Sequence, residues 1–412
     1  MEKINLFLAG SPMEVISGLV CIAALKPANP VFFIDRSITL HQTAIDNIMA
    51  CAQARFPELD FRFFTLQRDH LGLDDRGNWS IGSRRRWIRD LRVEVAKGVQ
   101  EAFDLTLDQL ARHVYAVHFT ILHDYVKILL EACRTSPRIL YPHGFDHPRL
   151  HQIRELPFLF EPRSCWTPLR SLRHMKPTAG AGELLISAGL RLLGRCGTCV
   201  PYEGTDAVYT FRDTALPVAT RLRKLDNLLE TFEWLISVPP WVGPLERARQ
   251  TIPPHAVVLL ISEYDRNPIW EQNPLWMEVL LELARRTLQR TGSECLVIKG
   301  HPRSDGTASA LMQDACRQAM PSVAVHGVSH DLSPLPIEAL ALGLRFSAAC
   351  SLGSCSLPSD IGIDVPHYTS PSLGALFDQG WIGTPFWAKY AQDTRMLIAE
   401  GICQDVDGPP SS

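Results

Sequence analysis

What most restricts this chain is a rhythm. Short apolar runs alternate with longer segments whose apolar residues recur at helical spacing, and the alternation is played twice. The first round takes in runs at Ile4 to Ala9, Val31 to Ile34, Phe61 to Leu66, His113 to His118, Arg138 to Tyr141 and Ala207 to Phe211. Between them lie helical segments such as Met13 to Leu25, Thr39 to Arg55 and Ile121 to Cys133, and a further one is expected from Ala219 to Ser237. Continuous short runs suit strands covered by helices on both faces, and so a parallel sheet. Then Pro239-Pro240-Trp241-Val242-Gly243-Pro244 and Pro253-Pro254 break the pattern. It restarts with runs at Ala256 to Ile261, Leu296 to Ile298, Ser322 to His326 and Leu344 to Ala349, separated by helices at Leu275 to Arg290, Ala308 to Met320 and Pro336 to Leu342.

The fold class is therefore α/β, with two doubly wound halves joined by a proline-rich hinge. The domains expected are residues 1–240 and 241–383, followed by a helical segment, 384–412, that either stays with the second domain or crosses back to the first. From Asp405 onward the chain is expected to be disordered.

Composition narrows the classes of function. With 412 residues, 46% hydrophobic and 21% charged, the chain can bury large cores. A net charge of -3 argues against a broad nucleic-acid surface. No apolar run is long enough for a membrane-spanning helix. Eleven scattered cysteines, and an amino terminus without the form of a secretory signal, imply reduced thiols and a cytoplasmic protein. Cys196-Gly197-Thr198-Cys199 has no second pair at a zinc-ribbon distance and reads as two thiols in a turn. Arg84-Arg85-Arg86-Trp87, with Arg89, Arg92 and Lys97, opens a basic amphipathic segment. Its first reading is a solvated helix face, its second a peripheral contact with anionic lipid or polymer.

Open α/β sheets bind ligands at the carboxyl ends of their strands, so the polar stretches that end the apolar runs are the candidate site. Pro142-His143-Gly144-Phe145-Asp146-His147-Pro148 ends one of them, and His143 or Asp146 could take a proton from a hydroxyl. In the second half Lys299-Gly300-His301-Pro302-Arg303 sets an imidazole between two cations, a combination suited to a phosphate. Pro302 ends the strand there, because it cannot donate to a ladder. Ser262-Glu263-Tyr264-Asp265-Arg266 ends another run, and Ser351-Leu352-Gly353-Ser354-Cys355-Ser356 offers hydroxyls and backbone donors around a glycine. Gly10-Ser11-Pro12-Met13 lacks the further glycines of a dinucleotide fingerprint.

Taken together, Lys299-Gly300-His301-Pro302-Arg303, the helix with Glu338 and Gly343, and the Gly353-Ser354-Cys355-Ser356-Leu357 turn resemble the donor half of bacterial GT-B sialyltransferases. The likeness is in particular to the polysialyltransferase-like family of capsule and lipooligosaccharide synthesis. The resemblance implies a GT-B architecture, two Rossmann-like domains facing a central cleft. It also implies transfer of sialic acid or a related acidic sugar from a CMP-activated donor to a glycan hydroxyl by an inverting displacement that needs no metal and no tightly bound cofactor. The donor would be held by Lys299, His301, Pro302, Arg303, Ser354 and Ser356, with Glu263 nearby. His143 or Asp146 would be the base. The partners implied are a nucleotide-sugar and a glycan or glycolipid acceptor, at the inner face of the plasma membrane. The family carries two acidic residues before the acceptor-side glycine, whereas this chain has Pro142-His143-Gly144. That His-Gly is also similar to the CDP-glycerol glycerophosphotransferases. A nucleotide-sugar epimerase and a catalytically silent GT-B scaffold that binds glycan or membrane are the remaining readings.

Overall fold

The computed structural model describes residues 2–37, 42–66, 81–120, 124–142, 205–211, 221–261, 273–300, 306–352, 363–380, 390–399 and 401–409. The chain divides into two compact units, Met1–Asn227 and Leu228–Ser412. The division falls ahead of the proline cluster at which the sequence suggests a boundary. The reason is the helix Leu228–Ile236 (α6), which buries Leu228, Phe232 and Leu235 and packs within the second unit.

In the first unit, strands β1 (Ile4–Ala9), β2 (Pro30–Asp35), β3 (Asp60–Phe64), β4 (Val114–Phe119), β5 (Arg138–Leu140), β6 (Ala207–Thr210) and β7 (Arg221–Lys224) form one sheet in the order β3-β2-β1-β4-β5-β6-β7. Every pairing in it is parallel. β1 lies between β2 and β4, and all six of its residues are buried, as its unbroken apolar run requires. The helix α1 (Pro12–Leu25) starts on the hydroxyl of Ser11, which accepts from the Glu14 N–H at 3.3 Å, with Pro12 in its first turn. It ends at Lys26, whose left-handed φ of 47° turns the chain out of the helix. Gly18 lets α1 approach the sheet closely: a Cβ there would stand 2.6 Å from the Phe32 ring. α2 (Gln42–Arg55) packs beside α1, and on the other face α3 (Ile81–Phe103), α4 (Leu107–His113) and α5 (Asp124–Ala132) complete a core containing Phe33, Phe64, Leu91, Val95, Val99, Leu110 and Leu129.

The second unit holds β8 (Val257–Leu260), β9 (Cys295–Lys299), β10 (Ala324–Gly327), β11 (Ala348–Cys350), β12 (His367–Thr369) and β13 (Gln404–Asp405), in the order β10-β9-β8-β11-β12-β13 and again all parallel. Its helices are α6, α7 (Val242–Thr251), α8 (Trp276–Thr291), α9 (Thr307–Ala319), α10 (Ile337–Leu344), α11 (Pro371–Gln379) and α12 (Tyr390–Ala399). Both sheets therefore have the doubly wound strand order, with a switch point beside the first strand of each. Two Rossmann-like α/β domains are present, as the alternation requires.

Two expectations are corrected. Residues 221–224 are an edge strand rather than the start of a helix. Arg221-Leu222-Arg223-Lys224 pairs with β6, and its mostly exposed cations suit a sheet margin. The tail from Asp405 is ordered as far as Pro409, because β13 pairs with β12, Arg286 grips Asp407 at 2.8 and 2.9 Å, and Arg290 donates to the carbonyls of Gly408 and Pro409. The last helix, α12, packs on α11 in the second unit, where the Asp378 carboxylate accepts from the Tyr390 and Ala391 N–H groups at 2.9 and 3.0 Å.

The basic segment is part of α3. Its apolar side, Leu91, Val95 and Val99, faces the core. Among its described side chains Arg89 meets Asp90, Arg92 meets Glu131 and Lys97 meets Glu101. That is a mixed-charge, solvated face. The side chains of Arg84, Arg85 and Arg86 lie outside the described residues, as does Cys196-Gly197-Thr198-Cys199. Among the described residues no helix is long and apolar enough to cross a membrane.

Candidate functional site

A parallel sheet delivers all its strand ends to one edge, and in each unit the central strands carry polar groups there. In the second unit the order β9-β8-β11 brings Gly300, Ile261 and Leu352 to the same edge. The stretches that come after them in sequence hold Glu263, then His301, Pro302 and Arg303, then Ser354 and Ser356. Those residues lie outside the described set. The fold establishes that the chain sets off towards all three stretches from neighbouring strands.

Lys299 is the one expected donor-side residue that is described. It is only 5% exposed, and its Nζ donates to the carbonyl of Ser333 at 3.1 Å and to that of Gly300 at 3.4 Å. Burial pushes its ammonium down to about 8, while the negative charge of Glu338 opposes that shift. Glu338 is itself buried in the first turn of α10, where a carboxylate suits the helix dipole. The lysine therefore ties the end of β9 to the loop ahead of α10. Its charge reaches the strand ends as a field rather than as a side chain projecting into solvent.

Ser351 comes directly after β11, and its Oγ lies 2.8 Å from Nε2 of His367 in β12. Both are buried. His367 carries no sequence signal, because it belongs to a strand too short to show a period.

In the first unit the ends of β1, β4 and β5 are adjacent. Glu14, in the first turn of α1, is 1% exposed. One carboxylate oxygen accepts from the Gly10 N–H, and the other accepts from the Thr120 hydroxyl at 2.8 Å. Ser11-Pro12-Met13-Glu14 has the Ser-x-x-Glu form of a capping box, which is the signal that could have flagged this glutamate. Here its side chain reaches one residue further back, to Gly10, and joins the ends of β1 and β4. Tyr141, just after β5, donates to the Leu8 carbonyl at 2.7 Å. Its phenol is pushed well up by burial first, and also by the charge of Glu14. Asp35, at the end of β2, accepts from the Ser37 N–H at 2.9 Å and from the Ser37 hydroxyl. The chain is described as far as Pro142, so His143 and Asp146 lie outside the described residues.

His118 lies in β4, but its imidazole belongs to the core. It stacks on Phe7 with centroids 4.0 Å apart, and Nε2 lies 3.3 Å from Asn5 Oδ1. Burial pulls its pKa down to about 3, which favours the neutral ring.

A separate cavity of about 340 Å³ runs beside the free edge of β10, lined by Arg247, Arg317, His326 and Asp331 among others. Arg317, on its wall, donates to the Val325 carbonyl at 3.5 Å. Among the described residues no group of three or more His, Cys, Asp or Glu could hold a metal.

No family model matches the sequence, and no curated protein does either. Among solved structures, the chain is similar to the UDP-GlcNAc 2-epimerase of Neisseria meningitidis bound to UDP-GlcNAc, with 12% identity, a TM-score of 0.44, and coverage of 97% of this chain and 92% of that one. It is also similar to LpCGTa in complex with UDP (10% identity, TM-score 0.45, 98% and 85% covered). A third is the α,α-trehalose 6-phosphate synthase of Burkholderia multivorans (10% identity, TM-score 0.43, 98% and 92% covered). At these scores the fold assignment rests on the strand orders above and not on the likenesses.

Proposed function

We propose that the chain is a glycosyltransferase that moves sialic acid or a related acidic sugar from a CMP donor to a glycan hydroxyl, with inversion and without a metal. The observation that supports this most is the switch-point edge of the second sheet, where the stretches beginning at residues 262, 301 and 353 leave neighbouring strands. In this reading His301, Arg303, Ser354 and Ser356 receive the donor phosphate. They stabilise the charge that develops as the bond from the anomeric carbon to the phosphate oxygen breaks. The acceptor oxygen forms its bond to that carbon from the opposite face, and its proton passes to His143 or Asp146 at the end of β5. Lys299 shapes this edge through the Ser333 and Gly300 carbonyls that it holds.

The test is a nucleotide-release assay over CMP-, CDP- and UDP-sugars with purified protein. Release of CMP, raised by a glycan acceptor and accompanied by loss of CMP affinity in His301→Ala, is the expected result. If no CMP-sugar is hydrolysed or transferred, and His301→Ala leaves CMP affinity unchanged, the donor assignment is wrong. Interconversion of a UDP-sugar with no acceptor present would replace the transferase with an epimerase.

A further inference from the structure

The cavity beside β10 is formed wholly within the second unit, by α7, α9, β10, the loop that follows β10 and the end of α10. Its volume of about 340 Å³ suits a small ligand. Part of the lining is apolar and buried, at Ile252, Val325 and Leu332. The polar part consists of two guanidiniums, Arg247 and Arg317, the imidazole of His326 and one carboxylate, Asp331. Positive charge therefore exceeds negative. The two arginines are held differently. Arg317 is fixed: its Nη1 donates to Asp314 Oδ1 at 3.0 Å, and its Nη2 to Gln313 Oε1 at 3.2 Å and to the Val325 carbonyl at 3.5 Å. Gln313 lies against Gly327, the last residue of β10, where a Cβ would stand 2.3 Å from the amide nitrogen of Gln313. The bare glycine thus makes room for the side chain that orients Arg317. A guanidinium has more N–H donors than these three bonds use, so the anchored group still has donors for a ligand. Arg247 is looser, paired with Asp331 at 3.4 Å where both side chains are exposed. An exposed pair of that kind contributes little, so an oxyanion held by the guanidinium fork can replace it.

We infer that this cavity is a ligand site in its own right, for a small hydroxylated anion. Arg247 and Arg317 take its carboxylate or phosphate oxygens with His326 beside them, Asp331 accepts from one of its hydroxyls, and the apolar lining covers its body. The site is separate from the nucleotide edge proposed above and stands whether or not that reading does.

Three probes that share one body test this: glucose 6-phosphate, glucuronate and glucose, each titrated into the full chain and read by hydrogen exchange over residues 244–252 and 325–332, with residues 4–9 of β1 as the internal reference. At least one of the two anions is expected to slow exchange in those two segments, and glucose is not; which anion does so tells phosphate from carboxylate. Arg247→Ala and Arg317→Ala should each weaken that binding by about tenfold, as loss of one charge-assisted hydrogen bond requires. Arg317→Lys, which keeps the charge and loses the fork, should fall between Arg317→Ala and the wild type. Both arginines are exposed, so the unliganded variants should melt with the wild type. Should Arg317→Ala fail to fold, Arg247→Ala decides. Three results would each overturn the inference: no protection by either anion at about 10 mM, well above the millimolar range of weak binding; equal protection by glucose; or Arg247→Ala and Arg317→Ala binding as the wild type does. Displacement of the bound anion by CMP would also reject a separate site, because the cavity would then belong to the nucleotide edge.

Discussion

His118 shows how burial turns a titratable side chain into a structural one. The folded state holds the imidazole neutral down to about pH 3, whereas the unfolded chain takes up its proton near the ordinary value of 6.5. Between those values the unfolded state binds more protons, so stability is complete above pH 6.5 and falls as the pH drops through the window, by up to about 1.4 kcal/mol per unit. Urea denaturation from pH 7 to pH 4 should show this slope, and His118→Phe, which keeps a ring against Phe7, should flatten it. Parallel slopes for the two proteins would contradict the assignment. Lys299 has the same sign at a different pH. Its pKa of about 8 lies below the ordinary 10.5, so the penalty for burying its charge is constant below pH 8 and is relieved as the pH rises from 8 to 10.5. Lys299→Met leaves the Ser333 and Gly300 carbonyls without their donor. It should cost about 1–3 kcal/mol at neutral pH, read from the denaturation midpoint, and should abolish the alkaline rise. Neither residue's role could be read from its neighbours in sequence. Lys299 beside a His-Pro suggests a phosphate ligand, and only the Ser333 carbonyl, 34 residues further on, shows where the ammonium is engaged.

Helices and strands with a long enough period were legible, and the short ones were not. The run from Ile4 to Ala9 and the helical spacing from Met13 to Leu25 match the structure because an unbroken apolar run and a helical period are both contained within the segment itself. β7 was hidden because four residues, Arg221 to Lys224, carry too little pattern to separate a strand from a helix start. β13, of two residues, exists only because β12 offers an edge and because Arg286 and Arg290 hold Asp407 and the Gly408 carbonyl just beyond it. Two substitutions probe this scale. Gly18→Ala places a methyl group 2.6 Å from the Phe32 ring, so the ring or the helix has to shift. It should cost about 1–3 kcal/mol by overpacking, seen as a lower denaturation midpoint with an unchanged slope. Asp407→Ala removes the acceptor shared by Arg286, Ser370 and Ser372. It should raise hydrogen exchange in residues 401–409 before the rest of the second unit responds, and equal protection with and without the carboxylate would show that the tail is held by β13 alone.

Each unit has its own sheet and its own core, which for two Rossmann-like domains predicts separable folding. Residues 228–412 expressed alone should unfold cooperatively. CMP should raise the melting temperature of that fragment, because a ligand that binds only the folded state stabilises it by mass action. A fragment that melts cooperatively but does not respond to CMP would place the donor site elsewhere or require the first unit for binding.

The sequence by itself determined the two rounds of strand and helix, and with them two parallel sheets, because unbroken apolar runs and amphipathic segments can be buried together in few ways. It also marked several stretches that follow strand ends, where glycine and proline cluster directly after an apolar run. Only the tertiary structure decided that Glu14 joins Gly10 to Thr120, that Lys299 is spent on carbonyls, and that His367 holds Ser351. Those contacts join residues brought together by strand order or by loops packed against strand ends, and no local pattern encodes them.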